Sequence, residues 1–194
     1  MRYNDLKSIK KLYFSYQNVA RALDISEDAA RILCNRYVKQ KLLIRIKRNF
    51  YILKEKWDNI SSLQILELAN ILQVPSYISL TTALSYYEYT TQVQQNFVES
   101  ISIRRTIEIE IEPVAFNYTK IKSDLYFGFN KNDNFFIASP EKAFIDALYL
   151  NSLGKYKLDL SSIDLDKLEK EKCEEILEKY PIKTKKFCEK LWIN

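Results

Sequence analysis

Histidine is absent from the 194 residues, and only two glycines, Gly128 and Gly154, are present. The first absence removes the most common metal ligand and the most common general base near neutral pH, which disfavours many hydrolases and most zinc sites. Two glycines cannot assemble a phosphate-cradling P-loop or a dinucleotide-binding turn, so nucleotide-dependent chemistry has no visible home. Cysteine is scarce too. Cys34, Cys173 and Cys188 are odd in number and fall in segments that read as helices, which argues for small buried apolar side chains rather than a disulfide framework. No apolar run reaches the roughly 18 residues of a membrane span, and Met1 to Lys11 is polar and basic with no apolar stretch of a signal peptide after it. A cytoplasmic protein without catalytic activity, cofactor, metal or membrane partner is expected.

Charge is abundant but unevenly placed. Residues 1–56 hold 14 Lys/Arg against 5 Asp/Glu, whereas residues 57–194 hold 16 against 20. A basic module on a mildly acidic body points to a polyanion partner for the first part and another task for the second. Two domains are expected, 1–56 and 61–194, joined through residues 54–60.

In the first module Asn4 is suited to cap a helix to about Leu12, and Ser15 to cap a second over Tyr16 to Leu23, with Val19, Ala20 and Leu23 inward. After a turn at Asp24-Ile25, Ser26 caps a third helix from Glu27, whose Ala30, Leu33, Cys34, Tyr37 and Val38 recur along one face. Leu42 to Ile46 and Phe50 to Leu53 read as two short strands about Lys47-Arg48-Asn49, with Asn49 taking the left-handed conformation. The pattern is that of a winged helix-turn-helix. Arg31, Asn35 and Lys39 point away from the apolar face of the third helix, where Arg31 and Asn35 can reach base edges in a major groove. Arg45, Lys47 and Arg48, with Asn49 at the turn, would meet phosphates. Glu27 and Asp28 suit the helix dipole but repel phosphate, so the helix is expected to enter the groove past its first turn. Such a module can also bind proteins.

From residue 61 onward the reading is mixed α/β. Ser61 or Ser62 caps a helix that Pro75 prevents from continuing, and Ser79 caps another over Leu80 to Tyr87. Period-two alternation marks strands over 98–103, 107–112, 114–118, 125–129 and 135–138, forming a small antiparallel or mixed sheet. Ser139-Pro140-Glu141 is a strong helix start, and Gly154 ends that helix. A charged helix over Leu165 to Tyr180 and a last one to Trp192 follow. Lys142 and Asp146 read as an ordinary surface or packing pair. Glu108, Glu110 and Glu112 alternate with isoleucines, as any half-exposed strand does, although alternate carboxylates could also serve a Mg²⁺-dependent nuclease.

Tyr77-Ile78-Ser79-Leu80-Thr81-Thr82-Ala83-Leu84 and Ala138-Ser139-Pro140-Glu141-Lys142-Ala143, followed by Asp146 and Tyr149, resemble the AbiEi antitoxin family. The resemblance spans nearly the whole chain, since Arg48-Asn49-Phe50-Tyr51 is similar to the Arg-any-any-Tyr end of that family's wing. The chain departs from the family at Asn49 and Glu88, where glycine is usual or frequent. The resemblance implies an antitoxin and transcriptional autorepressor of a type IV toxin-antitoxin system for phage abortive infection. Its winged helix would bind inverted repeats in promoter duplex DNA. Its C-terminal domain would counteract an AbiEii-like nucleotidyltransferase toxin without a stable complex. The alternative from the residues is a winged-helix regulator whose C-terminal domain senses a ligand or dimerises.

Overall fold

The computed structural model describes residues 3–92 and 94–192; Met1 and Arg2 of the basic N-terminal stretch lie outside them. The fold is mixed α+β and divides into two compact units, residues 1–65 and 66–194, with the boundary inside one helix.

The N-terminal unit begins with a single 3₁₀ turn, Asn4–Ser8, rather than a helix to Leu12. Its lone buried residue is Leu6, so the stretch has no repeating apolar face to sustain a longer helix. Helices α1 (Tyr16–Leu23) and α2 (Glu27–Lys39) start as their caps dictate: the Ser15 hydroxyl accepts from Asn18 N–H and that of Ser26 from Ala29 N–H. Asp24 ends α1 in a left-handed conformation, with φ of +50°. Strands β1 (Leu43–Lys47) and β2 (Phe50–Leu53) pair antiparallel. Phe14 and Tyr51 exchange both backbone hydrogen bonds, 2.9 and 2.8 Å, adding a third short rung beside β2. Val19, Ala20, Leu23, Ala30, Leu33, Cys34 and Tyr37 meet Leu43, Tyr51 and Leu53 in one core, whereas Val38 is only half-buried. Residues expected as a junction form a short helix instead, α3 (Lys54–Asp58), held by the buried Trp57.

Helix α4 (Ser62–Leu72) opens with a reciprocal cap between Ser61 and Gln64 and carries the boundary between the units. In the C-terminal unit, strands β3 (Ser76–Ile78), β4 (Phe97–Ser102), β5 (Ile107–Ile111), β6 (Val114–Lys120), β7 (Phe129–Asn132) and β8 (Phe135–Ala138) form a mixed sheet in the order β5-β6-β4-β3-β8-β7. The pairs β4/β6 and β3/β8 are parallel and the others antiparallel. Pairing of Tyr77 with Ile101 and of Ile101 with Thr119 puts these three on one face, and so Tyr118 on the other, where its hydroxyl donates to the Ala69 carbonyl of α4 (2.6 Å). Between β3 and β4 lies α5 (Leu80–Tyr86). The Tyr77 side of the sheet meets α6 (Pro140–Ser152), followed by α7 (Lys170–Leu177) and α8 (Ile182–Trp192).

β3 was not anticipated: its three residues are all buried, so it carries no alternation. Residues 125–129 are not a strand, because a 3₁₀ turn over Ser123–Leu125 precedes Gly128, and β7 starts at Phe129. The helix expected over 165–180 is interrupted, with Leu168 extended and buried before α7 begins. Among the described residues no helix is long and apolar enough to cross a membrane.

Candidate functional site

On the N-terminal unit the exposed face of α2 is a stripe of Asp28, Arg31, Ile32, Asn35, Arg36 and Lys39, opposite the buried Ala30, Leu33, Cys34 and Tyr37. Positions three and four apart are neighbours on a helix, so these six side chains form one continuous surface. Arg31 Nη2 donates to Asp28 Oδ1 at 3.0 Å, and both side chains are largely in water. An exposed pair of this kind is weak, so the guanidinium can leave Asp28 for another acceptor at little cost. Glu27 accepts from Gln17 Nε2 at 3.3 Å, which ties the acidic first turn of α2 to α1. Arg36 lies over the Tyr37 ring, 5.6 Å from its centroid.

Arg45, Lys47 and Arg48 stand exposed on the β1–β2 hairpin. Asn49 adopts φ of +62°, the left-handed conformation expected of it. Its carboxamide, though, is engaged within the unit: Oδ1 accepts from Tyr16 N–H (3.1 Å) and Nδ2 donates to Gln17 Oε1 (2.9 Å). Asn49 therefore fixes the hairpin turn against the start of α1. Cys34 is buried behind α2, and burial pushes its thiol up to about 11, as expected of a packing group rather than a reactive one.

The C-terminal unit holds the densest polar cluster, and it is internal. Helix α6 is buried on every side, with Lys142 and Asp146 completely enclosed. Lys142 Nζ donates to Tyr77 (2.9 Å), to Tyr180 (2.7 Å) and to Asp146 Oδ1, which satisfies all three of its protons. Asp146 also accepts from Tyr180 (2.6 Å) and, at its other oxygen, from Tyr77 and Ser79, both at 2.9 Å. The ammonium lies 5.0 Å from the Phe127 centroid, within cation–π range. Burial lowers the Lys142 pKa from its ordinary value, with Asp146 opposing the shift, and burial raises the Tyr77 and Tyr180 phenols. Every donor of the ammonium is spent, so the cluster is built for cohesion and offers no group to a substrate. This overturns the surface alternative for the Lys142–Asp146 pair.

Ser79, expected to cap α5, makes no side-chain cap; its hydroxyl is the one bound to Asp146. Glu99 of β4 takes the capping role. Its carboxylate accepts from the Thr81 and Thr82 backbone, from Gln94 (2.9 Å) and from Tyr156 (3.1 Å) while only 5 % exposed, and burial raises its pKa above 4.5. Glu108 and Glu110 are exposed on the edge strand β5, as half-exposed alternation predicts. Among the described residues no group of three or more His, Cys, Asp or Glu could hold a metal ion.

The sequence reading missed Ile32, a 68 % exposed apolar side chain in the middle of the α2 stripe. The signal was available, since Ile32 stands one residue from Leu33 and off the apolar repeat. It also missed the Lys142 cluster. The nearly unbroken apolar content of residues 143–150 marks a helix enclosed on all sides, and such a helix encloses its charges too. Compared with protein-family models, curated proteins and solved structures, the chain matches none.

Proposed function

We propose that the chain is a DNA-binding transcriptional regulator whose N-terminal unit works as a winged helix-turn-helix, with α2 as recognition helix and the β1–β2 hairpin as wing. The observation that carries this reading is the joint exposure of Arg31, Asn35 and Lys39 on α2 and of Arg45, Lys47 and Arg48 on the hairpin. An arginine and an asparagine four residues apart suit guanine and adenine edges in a major groove, and the hairpin cations suit phosphates.

The finer reading is an antitoxin and autorepressor of a type IV system, opposing a nucleotidyltransferase-like toxin. Two observations support it. The two segments that most resemble AbiEi antitoxins supply the partners of one buried network, Tyr77 and Ser79 from the first, Lys142 with the following Asp146 from the second. Asn49 and Glu88, which stand where that family favours glycine, both have φ of +62°. A left-handed backbone is what glycine supplies at least cost, so the substitutions keep the chain path while changing the residue.

A salt-titrated mobility-shift assay on the full chain, with a duplex spanning its own promoter and an unrelated duplex, tests DNA binding. Arg31→Ala is expected to narrow the difference between the two duplexes. Arg48→Ala is expected to weaken both by similar factors and to reduce the slope of log affinity on log salt by about 1. Wild-type behaviour in both variants would reject the reading.

A further inference from the structure

Ile32 is not among the described residues that form the core of its own unit, and it is 68 % exposed at the centre of the α2 stripe. Isoleucine is an indifferent helix former, so local structure does not recommend it at a solvated position. Its neighbours three and four positions away are Asp28, Ala29, Asn35 and Arg36. One apolar point among charged and amide groups is too small for a protein-docking patch, which needs contiguous apolar area. Such a point does suit the major groove, where the C5 methyl of thymine is the one apolar group on the base edges. Isoleucine in a helix holds essentially one χ1 rotamer, so little freedom is lost when it packs on such a methyl.

Resting on the DNA-binding reading, we infer that Ile32 is a specificity-determining residue that packs on a thymine methyl, beside the bases met by Arg31 and Asn35. Arg31 and Asn35 hydrogen-bond to polar edges, and Ile32 adds a demand for a pyrimidine methyl between or next to them. The operator half-site therefore carries a required thymine, and cytosine in its place is disfavoured because it carries only hydrogen at C5, where the methyl sat, and an amino donor in place of the O4 acceptor.

The test uses the full chain and a randomised duplex library. The tightest duplex is selected, and each of its thymines is replaced singly by uracil, which removes only the C5 methyl. At one thymine per half-site, uracil is expected to weaken the wild type about fourfold, the effect of one buried methyl-sized group. The same replacement is expected to leave Ile32→Ala unaffected, while Ile32→Val keeps most of the wild-type response. Because Ile32 lies on the surface, its replacement leaves the core intact. Equal responses of wild type and Ile32→Ala at every thymine would overturn the inference while sparing DNA binding, which Arg48→Ala tests separately. A change of oligomeric state in Ile32→Ala with unchanged DNA affinity would overturn it in favour of a protein partner. Failure to enrich any duplex would overturn both readings.

Discussion

Lys142 is enclosed because Gly128 leaves it room. A Cβ built on Gly128 would stand 3.0 Å from Lys142 Cγ, and the left-handed φ of +71° independently favours glycine, so one of the chain's two glycines is placed where the stem of the buried lysine passes. The residue then becomes costly to change. Lys142→Met keeps the aliphatic stem but leaves the Asp146 carboxylate inside without its cation, and it should destabilise the C-terminal unit by about 3–5 kcal/mol. Adding Asp146→Asn removes the uncompensated charge and should recover part of that loss. Denaturant midpoints of the full chain measure both, and an unchanged midpoint in the single variant would contradict the buried-pair account. Such a network is invisible at the level of spacing: Lys142 and Asp146 are four apart in any helix, and only enclosure by Tyr77, Phe127 and Tyr180 separates a buried pair from a surface one.

At the scale of elements, α5 shows how a cap supplied from elsewhere overrides a local one. Ser79 precedes the helix as a good N-cap would, yet its hydroxyl is committed to Asp146, and Glu99 from β4 meets the first backbone amides. The arrangement makes stability depend on pH. The folded pKa of Glu99 lies above its ordinary 4.5, so the folded state holds the proton more tightly than the unfolded chain. The contribution of this group is therefore full below about pH 4.5 and is lost as pH rises through the folded value. In Glu99→Gln that loss is absent. The stability difference, wild type minus Glu99→Gln, should fall as pH rises from 4.5 towards neutrality, whatever constant offset the amide adds. Thermal unfolding across this range measures it, and a flat difference curve would refute the assignment. Elements with a complete local signal were legible: α1, α2 and α6 each combine a serine cap with apolar residues, and β5 and β6 alternate, whereas residues 98–102 of β4 are all buried. β3 was not legible, because three buried residues carry no period, and the 3₁₀ turn at Ser123–Leu125 was not, because its single buried residue, Leu125, marks no repeat.

At the scale of the molecule, the charge asymmetry follows the division into units. Residues 1–65 hold 14 Lys/Arg against 6 Asp/Glu, and residues 66–194 hold 16 against 19. A polyanion is therefore attracted to the first unit and not by the net charge of the second. The division of labour proposed above yields a test by co-expression. A fragment of residues 61–194 is expected to relieve growth arrest by the cognate nucleotidyltransferase-like toxin while failing to shift the promoter duplex. Absence of relief by both the fragment and the full chain would reject the antitoxin role and leave DNA binding standing.

Composition and short-range pattern were enough to set the basic module, the caps of its two main helices and the length of the first, the left-handed turn at Asn49 and the mixed α/β character of the rest. Each of these depends on residues within a few positions of one another, where steric limits and backbone hydrogen bonding act directly. Strand order, the enclosure of α6, the transfer of a cap from Ser79 to Glu99 and the commitment of the Asn49 carboxamide to α1 were set by packing. They join residues 17 to 69 positions apart, and nothing in the local spacing distinguishes a polar side chain that finds such a partner from one that stays in water.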